Sequence, residues 1–266
     1  MSFRILALGD IVGRHARNFV KEQLPKIIEE NSVDFVVANG ENTSGGMGLL
    51  EKHATLLHSC GVDVITSGNH IWNRPEIYSF IDKTPYVLRP ANYPDDLPGK
   101  GSVVVTHEKT GIKVGVLNLL GTVFMPPIDS PFKKAVTEIE KLRSAGADII
   151  VLDFHAEATA EKEALGLYLA DKIELFFGTH THVQTSDDKI INEKMGYITD
   201  LGRCGSFFSV IGFNPKESIT GYLTNIQQHF VPAKNDLRIE GIIADFELDP
   251  ARCVAVEKIR LQDKVK

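Results

Sequence analysis

Along most of the chain, short apolar runs of strand length stop at polar, glycine-containing turns and give way to segments of helical period. That alternation implies a largely parallel sheet, because each helix carries the chain back to start the next strand in the same direction. Phe3 to Leu8 is the first run, ending at Gly9-Asp10. Ala16, Phe19, Val20, Leu24, Ile27 and Ile28 then fall on one helix face, with Pro25 predicting a kink. Val33 to Ala38 ends in Asn39-Gly40-Glu41-Asn42, and Leu50, Ala54, Leu57 and Cys60 mark a second helix. Val62 to Thr66 ends at Gly68-Asn69-His70. In a proline-rich middle, Val103 to Thr106 and Lys113 to Leu119 read as strands. Asp148 to Phe154 ends at His155, and Ile173 to Phe177 ends at Gly178-Thr179-His180-Thr181-His182. Ile239 to Leu248 and Cys253 to Leu261 alternate in the manner of an antiparallel hairpin. No repeat or linker divides residues 1–266, so one α/β domain is expected. Ser206 to Asn235 shows neither period and suits a lid, a homo-oligomer contact or plain loop.

Composition narrows the function. With 43% hydrophobic residues in 266, a full core can be buried. The 29 basic and 35 acidic residues leave a net charge of −6 with no basic block, so a duplex nucleic-acid partner is not expected. A small phosphate ligand stays compatible, since a bound metal can supply the positive charge. Cys60, Cys204 and Cys253 are scattered, without a Cys-x-x-Cys, which suits a reducing compartment. Only four apolar residues separate Arg4 from Gly9, too few for a signal peptide, and no run approaches the length of a membrane span. The expectation is a soluble cytoplasmic protein with no membrane partner.

The chemistry lies at the strand ends. Asp10, Glu41-Asn42, Asn69-His70, His155 and His180-x-His182 each follow an apolar run. Open α/β sheets bind ligands outside the carboxyl ends of their strands, so residues far apart in sequence converge there. Singly, each has an ordinary reading: Asp10 as a helix cap, Glu41 as a solvated carboxylate, Asn42 and Asn69 as turn residues, His155 as a core histidine. His180 and His182 are two apart, and in an extended chain they would point the same way. Together, three histidines, two carboxylates and the neighbouring amides exceed the needs of one metal ion. They suit two ions of intermediate hardness, such as iron, manganese or zinc, roughly 3.5–4 Å apart and bridged by a carboxylate. His15, His53, His58, His107 and His229 fall on helices or surface loops. Gly45-Gly46-Met47-Gly48 lacks the Gly-Lys-Ser/Thr of a P-loop, and no Gly-x-Gly-x-x-Gly or Gly-x-Ser-x-Gly is present.

This set resembles the calcineurin-like metallophosphoesterases, with three departures: Val12 stands in place of a histidine, Glu41 in place of an aspartate, and Thr179 interrupts the usual Gly-His-x-His. Those departures are similar to the YmdB-like bacterial phosphodiesterases. So are Gly68-Asn69-His70-x-Trp72, Leu88-Arg89-Pro90-Ala91-Asn92, Asp153 to Thr159, Gly178 to Thr185 and Tyr197 to Gly202. The resemblance implies a sandwich of mixed sheets flanked by helices, with the metal site at the C-terminal ends of strands. It implies that Asp10, Glu41, Asn42 and His182 hold a first metal. Glu41, Asn69, His155 and His180 would hold a second, and His70 would be the general acid. It implies iron or manganese and phosphodiester hydrolysis, with 2',3'- or 3',5'-cyclic nucleotides as substrates. Asp153, Glu157 or Asp200 would orient a metal-bound histidine. Arg89 and Asn92 would touch phosphate or base, or serve structure. Arg203, in Gly202-Arg203-Cys204-Gly205 where a Gly-Met-Thr-Gly loop is common, would add charge near a phosphate. A nucleotide sensor with little turnover, a phosphomonoesterase and a nuclease stay open as alternatives.

Overall fold

The computed structural model describes residues 2–263. The elements run β1 (Ser2–Leu8), β2 (Asp10–Ile11), α1 (Gly13–Glu30), β3 (Phe35–Asn39), α2 (Glu51–Ser59), β4 (Val64–Thr66), β5 (Ser102–Thr106), β6 (Lys113–Leu120) and α3 (Pro131–Ser144). They continue as β7 (Ile149–His155), α4 (Thr159–Leu169), β8 (Leu175–Thr179), β9 (Lys189–Ile191), β10 (Met195–Ile198), β11 (Arg203–Ser206), α5 (Pro215–Thr224), β12 (Leu237–Leu248) and β13 (Ala251–Gln262). The apolar runs become strands within two residues of their predicted limits. α1 continues through Pro25, which sits on its solvent face.

Two mixed sheets form. One has the order β2-β11-β12-β1-β3-β4, with β13 added beside β12; the other is β5-β6-β7-β8-β10-β9. β1, β3 and β4 are parallel, as are β6, β7 and β8. β12 and β13 form the expected antiparallel hairpin.

The continuous apolar runs explain the layering, because a strand buried on both faces needs no polar alternation. In β1, Phe3, Ile5 and Ala7 face a core between the sheets, while Leu6 and Leu8 join Ala16, Val20 and Leu24 of α1. In β7, Ile149 and Val151 face the inter-sheet core, and Ile150, Leu152 and Phe154 pack with Ile139 and Leu142 of α3 and Leu165 of α4. The result is helix, sheet, sheet, helix. Among the described residues no helix is long and apolar enough to cross a membrane.

Register places the polar residues. Asn39 pairs with Thr66 at the ends of β3 and β4, and His155 pairs with both Leu120 and Thr179 at the ends of β6 and β8. Asp10 pairs with Arg203, which brings the turn after Asp200 beside the end of β1.

Candidate metal centre

The five strand-end clusters come together. His155, the last residue of β7, is fully buried. Its Nε2 lies 3.1 Å from Glu41 Oε1, 3.1 Å from Asn69 Oδ1 and 3.0 Å from His180 Nδ1. A ring nitrogen about 3 Å from three other donor atoms is spaced like a ligand that shares one ion with them, with bonds near 2.1 Å. Among the described residues, Glu41, His155 and His180 form the carboxylate and imidazole group compact enough for this. A second group adjoins it. Asp10 Oδ1 is 3.7 Å from His182 Nε2, and Asp10 Oδ2 accepts the His180 backbone N–H at 3.1 Å.

Two observations distinguish this cluster from an ordinary polar core. Asp10 Oδ1 and Asn42 Oδ1 are buried without a hydrogen-bond partner, although buried oxygens are nearly always paired. The Asn42 amide is oriented by Nδ2 donating to Gly46 O at 2.9 Å, which leaves Oδ1 free as a ligand. The electrostatics agree. Burial, then the charge of His155, lowers His180 to about 3, and burial lowers His182 to about 4, so both rings are neutral donors near pH 7. Burial opposes charge on His155, but the Glu41 carboxylate, Asp10 and Asp153 outweigh it and raise its pKa to about 9. Burial likewise opposes charge on Glu41, yet His155 holds it at about 2. Burial raises Asp10 well above the usual carboxylate range. The centre therefore attracts positive charge, and its donors fit a transition metal of intermediate hardness.

The expectation that His180 and His182 point together from an extended chain does not hold. β8 ends at Thr179, and both histidines have left-handed φ, 98° and 62°. Side chains pay about 1–3 kcal/mol for such conformations, which persist where the surroundings enforce them. Here the kinks send His180 toward His155 and His182 toward Asp10. Gly68 also matters, because a Cβ there would overlap the His155 imidazole.

The three carboxylates reach different parts of the cluster. Asp153 reaches His155 through Thr179: Thr179 Oγ1 donates to Asp153 Oδ1 at 2.7 Å and accepts from His155 Nδ1 at 2.9 Å. Glu157 does not support His155 but lies 3.0 Å from His180 Nε2. Asp200 holds the loop between the two histidines, accepting Thr181 Oγ1 at 2.7 Å and Lys162 Nζ at 2.7 Å. Lys162 and Asp200 are 1% and 0% exposed. Lys162→Met is expected to destabilise the fold by about 3–5 kcal/mol, because it strands a buried carboxylate. Urea denaturation checks this; a change below about 1 kcal/mol would show that the pair is not needed.

Arg203 does not face the site. It is buried, donates to His182 O at 2.7 Å and to Ser206 O, and stacks on Phe207. Arg89 donates to the carbonyls of Pro90, Pro94, Leu97 and Pro98, and Asn92 bridges Leu120 and Asp129, so both serve structure.

A cavity of about 440 Å³ opens on the cluster, lined at its polar end by Glu41, Asn42, His70, His180 and His182. His70 is positioned by its backbone N–H, which donates to Glu41 Oε2 at 3.0 Å. The rest of the wall includes Met47, Ile211, Phe213, Tyr222 and Phe230. Most of that wall comes from the stretch that carries no period in the sequence. Its one available signal is its spaced aromatic residues. The same segment touches the cluster directly, because His182 Nδ1 donates to Ile211 O at 2.8 Å and so presents Nε2 to Asp10.

Two mixed sheets packed face to face, with carboxylate, amide and imidazole donors at the strand ends, define a calcineurin-like metallophosphoesterase sandwich. A 5'-nucleotidase precursor from Thermus thermophilus shares that fold, with a TM-score of 0.60 at 14% identity over 98% of this chain and 54% of its own. A sequence model of the YmdB-like protein family matches residues 6–259, and the chain belongs to that family. A 2',3'-cyclic-nucleotide 2'-phosphodiesterase from Bacillus subtilis is 40% identical over 261 residues, covering 98% of this chain and 97% of the relative. A crystal structure described as a novel phosphatase from Mycoplasma pneumoniae superposes with a TM-score of 0.91 at 34% identity, covering 98% of this chain and 94% of its own.

Proposed function

We propose that this protein is a metal-dependent phosphodiesterase that opens cyclic nucleotides, with 2',3'-cyclic nucleotides as the preferred class. The observation that carries the reading is the pair of buried, unpartnered oxygens on Asp10 and Asn42, beside neutral imidazoles at the floor of a nucleotide-sized cavity. The similarity to the B. subtilis phosphodiesterase supports the choice of substrate.

Asp10, Glu41, Asn42 and His182 would hold one metal ion, and Glu41, Asn69, His155 and His180 the other, with Glu41 shared. Iron and manganese match the mixed nitrogen and oxygen donors. Bound there, the ions supply positive charge against the phosphoryl oxygens and acidify a water molecule. The oxygen of water bonds to phosphorus and the bond from phosphorus to the ribose 2'-oxygen breaks. As that bond breaks His70 donates a ring proton to the departing 2'-oxygen, and the proton shed by the attacking water restores the ring, so water is added across the bond and a 3'-phosphate with a free 2'-hydroxyl remains. The two strained histidines and the hydrogen bond to Ile211 O keep the donors in place without rearrangement during the reaction.

The test is turnover of 2',3'-cyclic AMP, 3',5'-cyclic AMP and 3'-AMP with iron or manganese supplied, with products separated by chromatography. The expected result is conversion of 2',3'-cyclic AMP to 3'-AMP, faster than hydrolysis of the other two. Faster release of inorganic phosphate from 3'-AMP would move the assignment to a monoesterase. No hydrolysis of any of the three would overturn the reading.

A further inference from the structure

The cavity has two chemically different ends, and the aromatic end is not used by the donors at its floor. Phe213 is spent on packing: it lies against Gly46, whose lack of a side chain leaves room for the ring, and against Phe230 at 5.7 Å between centroids. Tyr222 and Phe230 are different. Both line the cavity, yet Tyr222 is 87% exposed and Phe230 38% exposed. α5 buries only Ser218, so the helix presents Tyr222 without packing it. A second cavity of about 420 Å³ shares Tyr222 and Phe230, so there is open space on more than one side of this wall.

We infer that Tyr222 and Phe230 form a stacking platform for the nucleobase, and that they recognise its face and not its edge. The inference rests on the nucleotide reading above and adds the part of the substrate that the metal centre does not touch. Aromatic side chains stack on any base, because every base presents a π-face. Reading a base edge requires free donors and acceptors, and apart from the exposed Tyr222 hydroxyl the side-chain hydroxyls on this wall donate elsewhere. Ser218 Oγ donates to Asn214 O at 3.1 Å, and Thr181 Oγ1 donates to Asp200. Glu157 is engaged with His180. Base identity therefore has little to act on beyond that one hydroxyl.

Steady-state kinetics on the metal-loaded protein test this, using 2',3'-cyclic nucleotides of all four bases and the base-less 1-O-methylribose 2',3'-cyclic phosphate. KM for the nucleotides is expected roughly tenfold or more below KM for the base-less compound. Tyr222→Ala and Phe230→Ala are expected to shrink that KM ratio toward one, whereas Tyr222→Phe keeps it. The four bases are expected to fall within about tenfold of one another. Equal KM for base-containing and base-less substrates overturns the platform, as does a preference above about a hundredfold for one base. So do alanine variants that affect both substrate types alike. Calorimetric binding of 3'-AMP against 1-O-methylribose 3-phosphate gives the same comparison without turnover. Tighter binding of 3'-AMP supports the platform even if hydrolysis fails, and equal affinity overturns it.

Discussion

Replacing His70 with alanine is expected to lower turnover of a 2',3'-cyclic nucleotide by about 10²–10⁴-fold while the metal content is unchanged. The backbone N–H of residue 70 donates to Glu41, and alanine keeps that bond, so the variant removes the imidazole without disturbing the carboxylate. Among the described residues the His70 ring makes no hydrogen bond to the protein, which leaves it free to meet a leaving oxygen in the cavity. The loss should depend on the leaving group. A ribose oxygen is a strong base and needs a proton, whereas p-nitrophenolate leaves without one. Hydrolysis of bis(p-nitrophenyl) phosphate is therefore expected to fall much less than that of the cyclic nucleotide. Equal losses on both substrates, or full activity on the nucleotide, would remove His70 from proton transfer.

Glu41→Gln should act on the metals themselves. The carboxylate is 1% exposed and lies 3.1 Å from His155 Nε2, and the proposed centre has it shared by both ions. Glutamine keeps its shape but removes the negative charge that a shared ligand supplies. Changes to the partners of metal ligands already cost about 10–100-fold in affinity, so losing a shared ligand is expected to cost at least on the order of 10²-fold. Elemental analysis should find less than one ion per chain in the variant, with no detectable turnover. Circular dichroism should show the fold retained. A variant that keeps both ions would contradict the shared position of Glu41.

Much of this was legible in the sequence, and the physical reasons are specific. The strands were visible because both sheets are covered on both faces, which turns β1, β3, β7 and β8 into continuous apolar runs. The donors were visible because each run ends in a residue type that ordinary turns do not need in such numbers. Two of the motif residues make sense only in three dimensions. Thr179, which interrupts the Gly-His-x-His pattern, links Asp153 to the His155 ring. Asn42 has its amide turned by Gly46 O so that its oxygen is free.

Other parts were hidden. Arg203 and Arg89 carry charges that a sequence assigns to phosphate or to a carboxylate, but both satisfy backbone carbonyls, which have no residue signature. The cavity wall in Ser206 to Asn235 could not be read because α5 buries one side chain and so lacks an apolar stripe. A helix that serves a ligand and not the core is silent to periodicity.

The most direct test of the central claim is metal content per chain by elemental analysis on gently purified protein, with phosphodiesterase activity measured on the same sample. Close to two transition-metal ions per chain, together with turnover of 2',3'-cyclic AMP, is the predicted result. No bound metal, and none taken up when iron or manganese is supplied, would contradict it.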